Sequence, residues 1–261
     1  LERLKVELRL WKLLKKELEI EEISIRNATF DTRDFIDGVV VNGHLGELYL
    51  ESHGVVFSPE TARINEFSVK NTDVSLTLEN MEDTDTTTTE PIYWKILLDE
   101  IDFENVGFAL NMPQDSLFVR TMLPKTTLKD GVIDLKEASY YVKSFDMDNA
   151  ELAYGPKEEL SLKKIGLQLD SIYYCGRDIR ANIEEFVFKE RSGLELVSTE
   201  GRIASDSVLI QIPKFTMKTT ASSLDLQTKI GWDVLEMKKT GVLSAKINAE
   251  IGKGDVAKIL G

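Results

Sequence analysis

The chain is poor in the residues from which metal, disulfide and nucleic-acid sites are built. It holds one cysteine, Cys175, two histidines and six prolines in 261 residues. A single cysteine excludes an internal disulfide framework and a cysteine-rich zinc site, and such a lone residue is most often a small buried apolar one. Positive charge is in deficit as well. The net charge of −13 argues against a nucleic-acid partner and against loose attachment to anionic lipid, both of which need clustered Lys and Arg. It places no bar on acyl chains, which carry no charge. No apolar run approaches the length that spans a bilayer, and no signal-peptide pattern is present. Leu1 opens directly into strand-like alternation, so we expect a fragment of a longer protein with any anchor upstream.

Helix signals are scarce too. Leu4, Val6, Leu8 and Leu10 alternate as in a half-buried strand. Trp11, Leu14 and Leu18 then fall three to four apart, which predicts a short helix near residues 11–17. At the other end KGDVAKIL, with Asp255 as N-cap, predicts the start of a second helix. Most of the rest is alternation broken by glycine. In the stretch 36–58, Gly38, Gly43, Gly46 and Gly54 read as turn punctuation between short strands. NMEDTDTTTTEP (80–91) reads as a flexible, solvated Thr/acidic loop inserted between strands. Asp83 and Asp85 lack the glycine and distal glutamate of a calcium loop, so no metal is expected there. We therefore expect one mainly β domain over 1–261.

What the chain does have is a repeat. IEEISIRNATF (20–30) recurs as INEFSVKNTDVSL (64–76), LDEIDFENVGFAL (98–110) and VKSFDMDNAELAY (142–154). Each has an apolar residue, two polar ones, then apolar, any, apolar, any, Asn. The asparagines are Asn27, Asn71, Asn105 and Asn149, spaced 44, 34 and 44 residues apart. LKKIGL (162–167), IEEFVF (183–188) and IPKFTM (212–217) keep only the first half. A non-helical repeat of this size points to stacked strand units. The extra polar residue predicts a β-bulge, since one added residue returns the following apolar side chains to their original face. Glu21-Glu22, Asn65-Glu66, Asp99-Glu100 and Lys143-Ser144 would occupy it. Asn tolerates left-handed backbone, so each Asn marks either a second bend or the end of a strand. In both cases a long antiparallel sheet with one apolar face is bent at matching places and curls around that face.

At this point the residues resemble a family. An apolar strand, the helix-like LWKLLKKELEIEEI and the ISIRNATF strand resemble the start of the AsmA-like and TamB proteins of bacterial envelopes. The INEFSVKNTDVSL repeats and the SAKINAEIGKGDVAKIL ending are similar to the body of TamB. The resemblance covers most of the chain and implies a fragment of the N-terminal half, without the inner-membrane helix or the C-terminal TamB domain. It implies a taco-like β-groove in the periplasm, anchored in the inner membrane through a segment absent here. It also implies a role in outer-membrane assembly and phospholipid transport, with phospholipid or another acyl-chain lipid as partner. An outer-membrane barrel assembly protein would be reached through the missing C-terminal parts. The groove would be lined by Ile20, Ile23, Ile25, Phe30, Phe67, Val69, Ile101, Phe103, Phe145, Met147, Phe186, Phe188, Phe215 and Met217. The alternative is a structural or adhesive β-module whose walls pack into a closed core, because both arrangements need the same inward pattern.

No catalytic constellation emerges. His44 and His53 lack a third ligand at a recognisable spacing and read as surface or turn residues around a strand pair. Serines occur without a nucleophile elbow, and no glycine cluster forms a phosphate loop. Adjacent carboxylates such as Glu21-Glu22 and Glu184-Glu185 read as solvated bends. The expectation is a protein without catalysis, metal or cofactor.

Overall fold

In the computed structural model the described residues are 1–9, 17–32, 38–57, 60–79, 93–237 and 241–260. They form one 13-stranded sheet whose strands lie in chain order and which does not close into a barrel. The strands are β1 (Arg3–Leu8), β2 (Glu17–Asp31), β3 (Val39–Phe57), β4 (Glu60–Leu78), β5 (Lys95–Met112), β6 (Leu117–Asp134) and β7 (Ser139–Tyr154). They continue as β8 (Leu160–Cys175), β9 (Asp178–Glu190), β10 (Glu195–Ser205), β11 (Leu209–Thr219), β12 (Ser223–Gly231) and β13 (Leu243–Glu250). Two short helices accompany them, α1 (Trp232–Leu235) before β13 and α2 (Lys253–Leu260) after it. The fold class is as expected, a mainly β, curled sheet. The helix expected near 11–17 falls on residues 11–16, outside the described residues, and Glu17 already belongs to β2. The loop 80–91 also lies outside them.

The sheet is antiparallel with one exception. β4 and β5 run parallel, Val69 beside Phe103 and Leu76 beside Leu110. This corrects the expectation of a wholly antiparallel sheet. It also explains the uneven repeat spacing, because Asn71 and Asn105 stand on adjacent strands and hydrogen-bond at 3.2 Å through Asn105 Nδ2 to Asn71 Oδ1. We call strands running with β2 forward strands: β2, β4, β5, β7, β9, β11 and β13. The full repeat, and the partial copies IEEFVF and IPKFTM, fall only on forward strands. LKKIGL lies on β8, which runs the other way, and is not an equivalent copy.

Two lines of irregular pairing run across β2–β8 roughly at right angles to the strands. Along the first, the ladder skips Glu21, Asn65, Asp99, Asp130, Lys143 and Ser171. These include the expected bulge positions on β2, β4, β5 and β7. Along the second it skips Asn27 opposite Gly46, Asn71 beside Asn105, and Asn105 opposite Pro124. All four repeat asparagines lie inside strands with positive φ, between 48° and 60°. They are bends and not strand ends, which resolves the alternative left open by Asn's turn preference. Pro124 sits mid-strand without penalty because the ladder asks for no N–H at that line.

The line also explains why glycine misled. The stretch 39–57 is one strand of 19 residues, not several short ones. A Cβ on Gly46 would lie 2.4 Å from the Asn71 carbonyl oxygen, and one on Gly43 would lie 2.3 Å from that of Asp73. These glycines admit a close neighbouring backbone instead of turning the chain.

Candidate functional site

The site is a face, built from registered rows of side chains. Because directly opposite residues share a face, the pairings trace one row across all thirteen strands. It runs Val6, Ile23, Leu50, Phe67, Ile101, Leu128, Phe145, Leu169, Ile183, Gly201, Phe215, Leu226, Ile247. The one gap, Gly201, is covered: a Cβ there would lie 2.6 Å from the Phe215 ring. A second row runs Leu4, Ile25, Leu48, Val69, Phe103, Thr126, Met147, Leu167, Phe186. It resumes as Thr199, Met217, Leu224, Ala249. Phe67 and Phe103 join the two rows edge to face, with ring centroids 6.2 Å apart.

The bulge line keeps a third row on the same face. Ile20, Ser52, Ile64, Leu98, Gly131, Val142 and Ile172 pair in succession beyond it. A Cβ on Gly131 would touch Leu98 at 3.3 Å and Leu128, from the first row, at 3.2 Å. The slip between Ile64 and Phe67 therefore returns apolar side chains to one face, as the extra residue predicts.

The opposite face is polar throughout its centre. Ser24, Tyr49, Ser68, Asp102, Thr127, Asp146, Gln168 and Glu185 form a matching row. Thr127 Oγ1 donates to Asp102 Oδ1 at 2.7 Å. Lys129 pairs with Glu100 at 2.9 Å, Lys70 with Glu104 at 3.1 Å and Lys143 with Asp130 at 2.9 Å. The hydrogen bond that each lysine donates to its partner carboxylate holds its pKa above the usual lysine range. Such exposed pairs add little stability. They keep this face wet.

No second layer covers the apolar face among the described residues. Apart from α1 against β12, substantial contacts run only between neighbouring strands. Of the expected lining residues, Val69 is buried and the other thirteen are half-buried. The chain exposes 16959 Å², against about 11500 Å² for a compact monomer of its mass. A sandwich-like closed core would have buried this face, so the packing is that of an open sheet.

The placement of the expected residues is specific. Ile23, Phe67, Ile101, Phe145 and Phe215 share the first row, and Ile25, Val69, Phe103, Met147, Phe186 and Met217 the second. Ile20 belongs to the third. Phe188 lies against Phe186, the rings tilted by 52° with centroids 5.4 Å apart. Phe30 lies beyond the asparagine line, in a row with Val74 and Phe108. Half of the lining was missed. Leu48, Leu50, Leu128, Leu167, Leu169 and Leu226 come from strands that run against the motif. Their only signal is plain alternation, as in ELYLE and GLQLD.

Residues with chemical potential are scattered. His44 and His53 both lie within β3, not around a strand pair. The His53 ring nitrogen Nδ1 lies 2.7 Å from Asn65 Oδ1 and 3.3 Å from Glu51. Cys175 ends β8 half-buried, not fully buried, with Sγ 3.7 Å from the Glu137 carbonyl. Asp255 is not an N-cap, since α2 begins at Lys253. It is buried instead against the β11–β12 turn, where it accepts hydrogen bonds from Thr219 and, at 2.6 Å, from Ser222 Oγ. Those two bonds, Ser222 first, hold its carboxyl below the ordinary range. No protein-family model matches the chain, and no curated protein matches it.

Proposed function

We propose that this chain is a section of a periplasmic envelope scaffold whose apolar β-face carries or shields lipid acyl chains between membranes. In this it resembles the TamB proteins. The observation that carries the reading is the apolar row that crosses every described strand, with no second layer over it among the described residues. An apolar face of that length in a soluble chain is a liability unless something apolar uses it. Acyl chains gain about 25 cal/mol per Å² removed from water on such a surface, while headgroups stay solvated at its rim. The repeated side chains give similar binding at successive strands, so a chain can slide without a deep trap. No bond is made or broken, and no metal or cofactor takes part. The parent protein would be held at the inner membrane and would reach an outer-membrane assembly partner through parts not present here.

The test is capture in place. A photo-crosslinking residue at Phe103 or Phe145 should trap lipid in living cells, and the purified protein should release phospholipid for mass spectrometry. Crosslinks to protein alone, with no extractable lipid, would overturn the reading.

A further inference from the structure

Two positions on the apolar face break its chemistry. Thr126 and Thr199 are 5% and 3% exposed, and the hydroxyl of each has no hydrogen-bond partner. The other buried threonines are satisfied: Thr72 donates to the Lys70 carbonyl at 3.0 Å and Thr228 to that of Ser244 at 3.0 Å. The face is not in doubt. Thr127, the next residue, bonds Asp102 on the polar side, and Glu200, next to Thr199, meets Lys214 there at 3.5 Å. Alternation sends Thr126 and Thr199 to the apolar side. Valine has the same shape and would avoid a buried, unpaired hydroxyl.

The two sites share a further feature. Directly across from Thr126 is Met147, and directly across from Thr199 is Met217. These are the two motif strands whose sixth position is methionine (VKSFDM and IPKFTM), where the others carry Ile, Val or Phe. Methionine is unbranched and adapts its shape more readily than those residues. Each unpaired hydroxyl thus sits beside the side chain most able to move aside. The pairs are four strands apart, about 19 Å along the sheet.

We propose that Thr126–Met147 and Thr199–Met217 are two polar stations in the groove, at which the threonine hydroxyl donates to an ester carbonyl of an acyl glycerolipid. The assignment rests on the lipid-groove reading and adds to it the substrate class: esterified lipids over plain hydrocarbon. A passing lipid displaces the methionine, pairs the hydroxyl and pauses there.

The experiment compares two probes that differ only in those carbonyls, dioleoyl phosphatidylcholine and its dialkyl ether analogue. Each is offered in vesicles to the purified chain. Wild type should favour the ester lipid by about two- to ten-fold for each hydroxyl engaged, the range of one net hydrogen bond. Thr126→Val with Thr199→Val should abolish that preference and raise the denaturation midpoint of the lipid-free protein. Equal binding of both lipids to wild type overturns the stations and leaves the groove standing. A preference that survives in the double variant overturns them too. Binding of neither lipid overturns the groove itself.

Discussion

Strands β2–β8 and strands β9–β13 belong to one sheet and share one apolar row, yet they are bent differently. The first group carries mid-strand residues in left-handed backbone: Asn27, Asn71, Asn105, Asp130, Asn149, Lys164 and Ser171. In the second group the positive-φ residues described are Gly193 and Met237, both outside strands. β9–β11 still show register slips, but β12 and β13 pair through eight consecutive positions without one. Strand length follows the same division, from 19 residues in β3 and β4 to 8 in β13. The apolar row therefore does not depend on the bends. Alternation alone carries it into the straight edge, and left-handed residues add the curl.

The largest predicted contrast tests packing. Leu98 in β5 is 7% exposed, whereas Leu226 in β12 is half-buried. Leu98→Ala should cost about 2–4 kcal/mol in urea denaturation, and Leu226→Ala about 1 kcal/mol. Equal losses would show that the two regions are packed alike. A second contrast tests the bends. Asn105→Val forces a β-branched residue into left-handed backbone and should cost about 2 kcal/mol, while Asn105→Gly should stay close to wild type. Asn248→Val, on the straight strand β13, should change stability by no more than about 0.5 kcal/mol. If Asn248→Val cost as much as Asn105→Val, the bend would not be the reason.

The smallest effect concerns what ties down the straight edge. Asp255 fastens α2 to the β11–β12 turn as a carboxylate. Its folded pKa is depressed, so its contribution is present above the unfolded value, about 3.9, and fades as pH falls through the lower folded value. Amides of α2 should exchange faster relative to those of β5 at pH 3 than at pH 7. Asp255→Asn should show the fast pattern at both values. An unchanged ratio in wild type would remove the latch.

The slip residues were legible in the sequence because a strand's period is two, and one added residue is visible wherever apolar positions resume out of phase. The forward-strand residues Phe67, Val69, Ile101, Phe103, Phe145, Met147, Phe215 and Met217 followed from the same pattern, whereas Ile64, Leu98, Val142, Ile183 and Ile247 on such strands were not anticipated. The strand count did not follow from it. Gly46 and Pro124 carry the local signature of chain breaks, and only the neighbouring backbone shows that they sit inside strands at a line where pairing is skipped. The parallel β4–β5 pair was equally hidden, since alternation reports which face a residue takes and not which way its neighbour runs. The threonines were passed over because a hydroxyl's partner depends on the opposite strand.

The two lines of skipped residues have a mechanical consequence. Each breaks the ladder at one place on successive strands, so the sheet's bending stiffness is lowest along two transverse axes and higher in the panels between them. Deformation is then confined to rotation about those axes. The rows of Phe67 and Phe103 lie between them and move as one plate.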